Sequence, residues 1–493
     1  MKKNQKIFLA LTLIIGALLR VLAIKNYGGF WFDEMFSFIY SQKPWLDSLT
    51  KFWIWETNPF LHMLLLKLWF YLVPASELTA RLPSLIFGLA GIYSLYRLGQ
   101  KHFNELTGQL GALLLSLNGL HIFFSATARS YALLMWLTIL VMNKFFDIFL
   151  RDQKTKRDLI ILGILNLLIA YTHLTACLFI IGQLVILLAL KNKNQTTLWL
   201  KTNALPFLLW LIWAIPSLIP KISWQTFSAS WFLTIKNDYV SITNNFANIL
   251  VGPIEWPLSL IAVIAFIGAI TFVTYKQIKT KTLHQPFMAI MLMAVLFIFC
   301  LSILGALNER FFVIIMPLVA IVIACFLEQV FKSKKTLALG AVCLLMSLGI
   351  YNLYANCLPI SDWKNLNKII SQNIDLNHKQ IFVYNLEFYQ PLFDRYLSLP
   401  VNIVFYEEYA DLNFDEKMIT KNYLRYLHNQ KQITDWIIKS RLDQYDKIIL
   451  LQNQFVGTNI AQALNSLGWI LKQTIADTRV GGEPHIIKIY AKN

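Results

Sequence analysis

The sequence is poor in charge and in cysteine. Of its 493 residues, 14% are charged and 57% are hydrophobic. A chain of that balance is a polytopic membrane protein with a soluble portion left over. Cys177, Cys300, Cys325 and Cys343 lie in apolar runs, and only Cys357 has polar flanks. This excludes an intramolecular disulfide framework and a CxxC metal site. There is no Gly-rich phosphate loop, since Gly481-Gly482 reads as a turn. There is no basic groove interleaved with aromatics, so the net charge of +17 does not point to nucleic acid. The excess suits lysines and arginines in cytoplasmic loops. The first apolar run carries Arg20 and lacks a small-x-small cleavage site, so it reads as a retained span. No internal repeat occurs.

What is present is a series of apolar runs long enough to span a bilayer. They lie near 7–24, 82–99, 106–124, 131–150, 158–172, 174–190, 203–220, 257–275, 286–306, 311–331 and 336–354, eleven in all. The shorter run 58–74 is ambiguous, and loop charge decides it. With Lys2, Lys3 and Lys6 in the cytoplasm and 58–74 not crossing, the loops bearing Arg97, Arg151, Lys191, Lys276 and Lys332 also fall inside. The facing loops after the first hold only Arg129, Lys221, Lys236 and Arg310. A crossing at 58–74 would invert this asymmetry. The run therefore reads as an interfacial amphipathic helix within one outer loop, 25–81.

Residues 1–355 form the membrane domain in this reading. Residues 356–493 are more polar and form a small α/β domain, which eleven crossings place outside the cytoplasm. Residues 379–384, 401–406 and 447–452 read as short buried strands, and 485–490 as a last strand. Residues 458–467 read as a helix with Thr458 as N-cap and Gly468 just past its end.

The same topology sends Asp33, Glu34, Glu56, Arg81, Arg129, His173 and Arg310 to the outer face, from several loops and span ends. An isolated charge costs about 2.5–3.5 kcal/mol in hydrocarbon on insertion scales, so carboxylates at this depth line a polar cavity or serve chemistry. The bland alternative is a solvated helix cap for Asp33 and Glu34, and snorkelling to headgroup phosphate for each arginine. Carboxylates and arginines converging on one face describe a site that holds an anion beside a base.

Trp31-Phe32-Asp33-Glu34 after a first span resembles the first outer loop of glycosyltransferase family 39 and its GT-C relatives. Those relatives include protein O-mannosyltransferases, aminoarabinose transferases and lipopolysaccharide-core transferases. Glu56-Thr57-Asn58-Pro59-Phe60-Leu61-His62 is similar to the family's acidic-x-His-Pro-Pro-Leu-Tyr stretch. Arg81-Leu82-Pro83-Ser84 matches its Arg-Leu-Pro-Ser. Ser125-Ala126-Thr127-Ala128-Arg129-Ser130-Tyr131 resembles its Ser-Gln-Glu-Ala-Arg-x-Tyr, and Thr172-His173 matches a Thr-His pair. The likeness is ordered through residue 190 and holds beyond it only in pattern. Asn58 and Phe60 stand where the family has His and Pro, His62 where it has an aromatic, and Ala126-Thr127 where it has Gln-Glu.

The resemblance implies a GT-C fold and inverting transfer of a sugar from a polyprenyl-phosphate donor to an acceptor outside the cytoplasm. The acceptor classes are an envelope glycan, lipid A or core, or a protein. The location would be the inner (plasma) membrane, with no nucleic-acid partner. The chemistry fits the residues. A departing phosphate needs electrostatic stabilisation, which Arg129, Arg310 and Arg81 can supply by bidentate contact. The acceptor hydroxyl needs a base, and Asp33 is the candidate. Glu34, Glu56, Asn58 and His173 are left to orient the acceptor or a cation. A divalent ion suits such carboxylates, although their spacing does not demand one. A transporter of lipid-linked glycans is the rival, but it would carry its charges at mid-span, often with repeats. A scaffold with a partner-binding outer domain is a further alternative.

The charge asymmetry makes the topology testable. Cysteines introduced at Ser48 and Asn429 should label in intact cells and one near Lys154 should be protected; the opposite pattern would invert the arrangement.

Overall fold

Long apolar runs between short polar turns give a helical bundle and a small sheet in the computed structural model. It describes residues 3–49, 58–223, 238–251, 254–280, 284–304, 307–334, 362–374, 379–384, 402–405, 442–453, 459–480 and 483–491, with isolated positions elsewhere. In chain order the helices are α1 (Lys3–Asn26), α2 (Phe32–Gln42), α3 (Leu61–Trp69), α4 (Glu77–His102), α5 (Glu105–Leu117), α6 (Gly119–Ser125), α7 (Tyr131–Phe145), α8 (Lys156–Ala170) and α9 (Ala176–Ala189). They continue as α10 (Lys193–Ser223), α11 (Tyr239–Val251), α12 (Leu258–Lys279), α13 (Gln285–Ile303), α14 (Glu309–Phe312), α15 (Met316–Ser333) and α16 (Trp363–Asn373). Polar caps start several of them. Ser76, Asn104 and Thr155 accept from backbone N–H groups in the first turns of α4, α5 and α8, which satisfies donors that a helix leaves open at its N-terminus.

The chain divides into two compact units. One comprises Met1–Ile24, Ser41–Ser223 and Trp231–Cys357; the other comprises Lys25–Tyr40, Trp224–Ser230 and Leu358–Asn493. In the first unit, α7 and α15 lie deepest. The stretch Tyr131–Leu150 is 72% buried, against 17% for Leu258–Lys279, so α12 turns most of its apolar surface outward, as a lipid-facing helix does. Helices α4 and α7 run side by side in the same direction. The Ser84 hydroxyl donates to the Arg129 carbonyl at 3.3 Å, Trp136 Nε1 to Ser94 Oγ at 3.1 Å, and Lys101 Nζ to Asp147 Oδ2 at 2.6 Å. Lys144 pairs with Asp158 at 2.6 Å, so α8 starts where α7 ends. Lys101, Arg151 and Asp158 thus share one end of this bundle, and Arg129 and His173 share the other.

Among the described residues, seven helices are long and apolar enough to cross a membrane. Helices α5 and α6 together make an eighth, bent by 66°. The chain is therefore a multi-pass membrane protein, although not every expected run is a full-length helix. Helices α8 and α9 have 15 and 14 residues, and most of 336–354 lies outside the described residues. Helix α3 has nine residues, about 13 Å at 1.5 Å per residue, well short of a hydrocarbon core of ~30 Å. Ser48 is buried, so a topology label belongs instead on Leu46, which is 72% exposed; Asn429 lies outside the described residues.

The run 106–124 is expected as one helix and is broken at Asn118. This residue has extended backbone, with φ −67° and ψ 122°. Its side chain accepts from His121 N–H at 2.9 Å and donates to the Ile249 carbonyl at 2.9 Å. The break frees carbonyls at the end of α5. The Arg20 guanidinium, fully buried, donates to Ser116 O at 3.1 Å, to Leu115 O at 3.5 Å and to Gly16 O at 2.8 Å. It also contacts His121 Nδ1.

The second unit contains a five-stranded sheet of β1 (Gln380–Tyr384), β2 (Asn402–Phe405), β3 (Lys447–Asn453), β4 (Ile470–Val480) and β5 (Glu483–Ala491), with helix α17 (Asn459–Ser466) between β3 and β4. The strand order is β2-β1-β3-β5-β4. Strand β1 is parallel to β2 and β3, while β5 is antiparallel to β3 and β4. Ile381, Val383, Ile448, Leu450 and Tyr490 pack with α17 on one face. Phe382, Ile449 and Leu451 alternate to the other face and are buried too, as expected of central strands. The four strands and the helix read from the sequence are present. Gly468 follows α17 with φ +85°, and Trp469 N–H reaches Leu464 O at 3.0 Å, a left-handed helix stop. Thr458 lies outside the described residues. Strand β4 and helices α11 and α16 are additions that hydrophobic pattern alone does not announce.

Without Arg20 the carbonyls at the α5 break lose their donor. Each buried acceptor left unsatisfied costs about 1–3 kcal/mol. Arg20→Met and Arg20→Lys should both lower the thermal unfolding midpoint of purified protein in detergent. Wild-type midpoints in both would show that Asn118 alone holds the break.

Candidate active site

In the first unit, four of the sequence motifs gather at one end of the bundle. Arg81 and Ser84 lie three residues apart on α4, both buried, and Ser84 is tied to the Arg129 carbonyl. Arg129 sits in the turn between α6 and α7, where its own N–H donates to Thr127 O at 2.8 Å. Its residue is 5% exposed. The packing behind this turn leaves little room: a Cβ at Gly88 of α4 would lie 2.3 Å from Ser125 Oγ. Two residues on, the Tyr131 ring is 5.7 Å from the His173 ring, which is 6.1 Å from the Phe311 ring.

His173 is buried. Its Nδ1 accepts the Thr175 N–H at 3.2 Å and faces Thr175 Oγ1 at 2.8 Å. An Nδ1 that accepts a backbone N–H leaves the neutral ring's proton on Nε2. The Asn58-Pro59-Phe60 stretch joins the same place. Leu61 N–H donates to Tyr171 O at 3.0 Å, and the Phe60 ring lies 4.9 Å from that of Tyr171. Asn58 is 7% exposed.

Arg310, half-buried, lies on α14. The Asn308 side chain caps it, accepting Arg310 N–H at 3.0 Å. Helix α11 pins this loop through Asn245, which donates to Leu307 O at 2.9 Å, and through Asn248, which donates to Glu309. Ile249 of the same helix receives Asn118. A helix unread in the sequence thus fixes both the Arg310 loop and the α5–α6 break.

Asp33 and Glu34 belong to the second unit, in the first turn of α2. Negative charge is favoured there by the helix dipole. Glu34 is fully buried and turns back on its own helix start, accepting Trp31 N–H at 3.4 Å. Asp33 is half-buried, and its carbonyl accepts Ser37 Oγ at 3.3 Å. Glu56 lies outside the described residues. Among the described residues, no three His, Cys, Asp or Glu groups gather as a set that could hold a metal ion.

Two buried groups were missed by motif reading. The Arg20–His121 contact joins helices a hundred residues apart in the chain, and the available signal was the turn-forming pair Asn118-Gly119. Lys67, 6% exposed on α3, donates to the carbonyls of Ser41, at 3.3 Å, and Lys43. It also sits 5.0 Å from the Trp45 ring. An amphipathic pattern would have turned it to solvent.

Residues 57–224 match the family model described as "Dolichyl-phosphate-mannose-protein mannosyltransferase". The fold is similar to that of ArnT from Cupriavidus metallidurans in the apo state, with TM-score 0.56, 11% identity, and coverage of 98% of this chain and 97% of that one. ArnT bound to undecaprenyl phosphate gives 0.55, 11%, 98% and 97%. The archaeal oligosaccharyltransferase AglB from Archaeoglobus fulgidus, in complex with an inhibitory peptide and a dolichol-phosphate, gives 0.51, 12%, 91% and 69%. No curated protein matches the chain at the sequence level. The likeness is one of fold, and this fold is the one the sequence resemblance implies.

Proposed function

We propose that this chain transfers a sugar from a polyprenyl-phosphate donor to an extracytoplasmic acceptor, a hydroxyl of an envelope glycan, lipid A or core, or a protein. The observation that carries this reading is the gathering of the Arg81, Arg129, His173 and Arg310 motifs at one end of a bundle with the GT-C fold. ArnT, of similar fold, is described bound to undecaprenyl phosphate.

In the proposed reaction the acceptor oxygen attacks the anomeric carbon, and the bond from that carbon to the phosphate oxygen breaks on the opposite side. The polyprenyl phosphate leaves as an anion, and Arg129 and Arg310, with Arg81 behind, stabilise its charge. Asp33 takes the acceptor proton. The burial difference favours Asp33 over Glu34: a general base must meet a substrate, and Glu34 is closed off and bonded to its own helix start. Glu34, Glu56, Asn58 and His173 are assigned to orienting the acceptor or a cation.

The test uses purified chain and a lipid extract containing polyprenyl-phosphate sugars. Wild-type protein should consume the donor. Asp33→Asn should lower turnover by roughly 10²–10⁴, the usual reach of acid–base catalysis, while leaving undecaprenyl phosphate affinity intact. Arg129→Ala should weaken that affinity by about 1.5–3 kcal/mol, the range for hydrogen bonds to charged groups. A wild-type rate in Asp33→Asn would remove the base assignment. Movement of intact donor across vesicles without consumption would favour a transporter.

A further inference from the structure

The segment that leads into α2 is held from the far end of the sequence. Phe30 N–H donates to the Tyr396 hydroxyl at 2.8 Å, across 366 residues. The Tyr396 ring stacks on Trp363 at 5.0 Å, with 19° between planes. Asn367, on the same helix as Trp363, donates to the Tyr396 carbonyl at 2.8 Å. Gly29 lies so close to this pair that a Cβ would stand 2.6 Å from Trp363 Cδ1 and 2.8 Å from Tyr396 Cζ. The Arg395 guanidinium lies over Phe30 at 5.6 Å and over Phe38 at 5.0 Å. Those two rings are themselves 4.8 Å apart.

Phe30, Glu34 and Phe38 follow each other at intervals of four residues, so the last two share a face of α2. The rings under Arg395 therefore bracket the carboxylate turn. A backbone hydrogen bond, a stacked pair without room for a methyl group, and a cation over two rings all act within the four residues before Asp33 or on its helix. Burial alone would need none of this directional contact.

We propose that Trp363, Arg395 and Tyr396 are positioning residues for α2, fixing where Asp33 presents its carboxylate; this rests on the function proposed above. A catalytic group displaced by about 1 Å can lose 10²-fold in rate with little change in overall structure. A cation over aromatic rings suits such a clamp because it resists sliding without closing the site to solvent.

The test uses full-length protein with Tyr396→Phe, Gly29→Ala, Arg395→Gln and Arg395→Lys. Three quantities are read: amide hydrogen exchange of the peptide 27–34, turnover with the lipid extract, and affinity for undecaprenyl phosphate. Tyr396→Phe should raise exchange in this peptide and lower turnover by about 10- to 100-fold, with undecaprenyl phosphate affinity and the unfolding midpoint unchanged. Gly29→Ala, whose methyl group must displace the stacked pair, should change exchange and turnover in the same directions and also lower the midpoint. Arg395→Lys, which keeps a cation over the rings, should stay close to wild type, and Arg395→Gln should not. Raised exchange with wild-type turnover would overturn the proposal, and so would unchanged exchange in both Tyr396→Phe and Gly29→Ala. A wild-type chain that transfers no sugar overturns the function itself. The exchange result then still decides the clamp, raised exchange supporting it and unchanged exchange overturning it.

Discussion

The first unit depends on how a buried arginine is reconciled with an apolar surround. Arg20 is fully enclosed, in a helix otherwise fit to face lipid. A guanidinium there is tolerable only if its donors are used, because an uncompensated buried charge costs several kcal/mol. The α5–α6 break supplies the acceptors. Carbonyls that a continuous helix would keep for itself are turned to Arg20, and His121 adds a ring nitrogen. The break and the arginine solve each other's problem. The consequence reaches the candidate site, since α6 delivers the turn that carries Arg129. Had the run 106–124 continued straight, residues 126–130 would leave it in a direction 66° away.

The ionisable groups of the proposed reaction are divided between the two units. The arginines sit on helix ends and tight turns of the bundle, where neighbouring backbone and rings hold them. Asp33 and Glu34 sit on a short helix in the unit that also holds Leu358–Asn493. Each set is fixed within its own unit: Arg129 by a turn whose carbonyl receives Ser84, and Asp33 by a helix whose approach is bonded to Tyr396.

Much of this was legible in the sequence because it follows from strong, local physics. Run length locates the long helices, and the run 58–74, too short for a span, contains the nine-residue α3. Short apolar runs reveal β1, β2, β3 and β5 as strands. What escaped depended on partners distant in sequence. Strand β4, with Lys472, Gln473 and Thr474 exposed or half-exposed, has no buried alternation to announce it; pairing with β5 makes it a strand. Helix α11 carries Asn244, Asn245 and Asn248, and these asparagines bond Ser259 of α12, Leu307 and Glu309. Lys67 lies in the run read as an amphipathic helix, and two carbonyls and an aromatic ring receive it.

Several departures from the family pattern fall at buried positions. Ala126, Thr127 and Ala128 are all fully buried, so the positions at which relatives carry Gln-Glu are here part of the packing of a tight turn. A glutamate two residues before Arg129 would bring a carboxylate into the turn that presents the guanidinium. At 4 Å and an effective dielectric near 20, such a pair interacts by about 4 kcal/mol, comparable to what an arginine contributes to holding a phosphate. With Ala-Thr there instead, the turn contributes positive charge and no carboxylate of its own. His62 and Asn58, which replace other family residues, are likewise buried and neutral or weakly basic. Of these changes, it is the loss of the glutamate that moves this end of the bundle toward positive potential; Asn58 in place of a His does not. A more positive surround lowers the cost of an anionic ligand, and it also removes a carboxylate that could have bound a cation or an acceptor hydroxyl. In the proposed reaction the arginines assigned to the donor phosphate are retained, while Asn58, one of the groups assigned to the acceptor or a cation, departs from the family pattern.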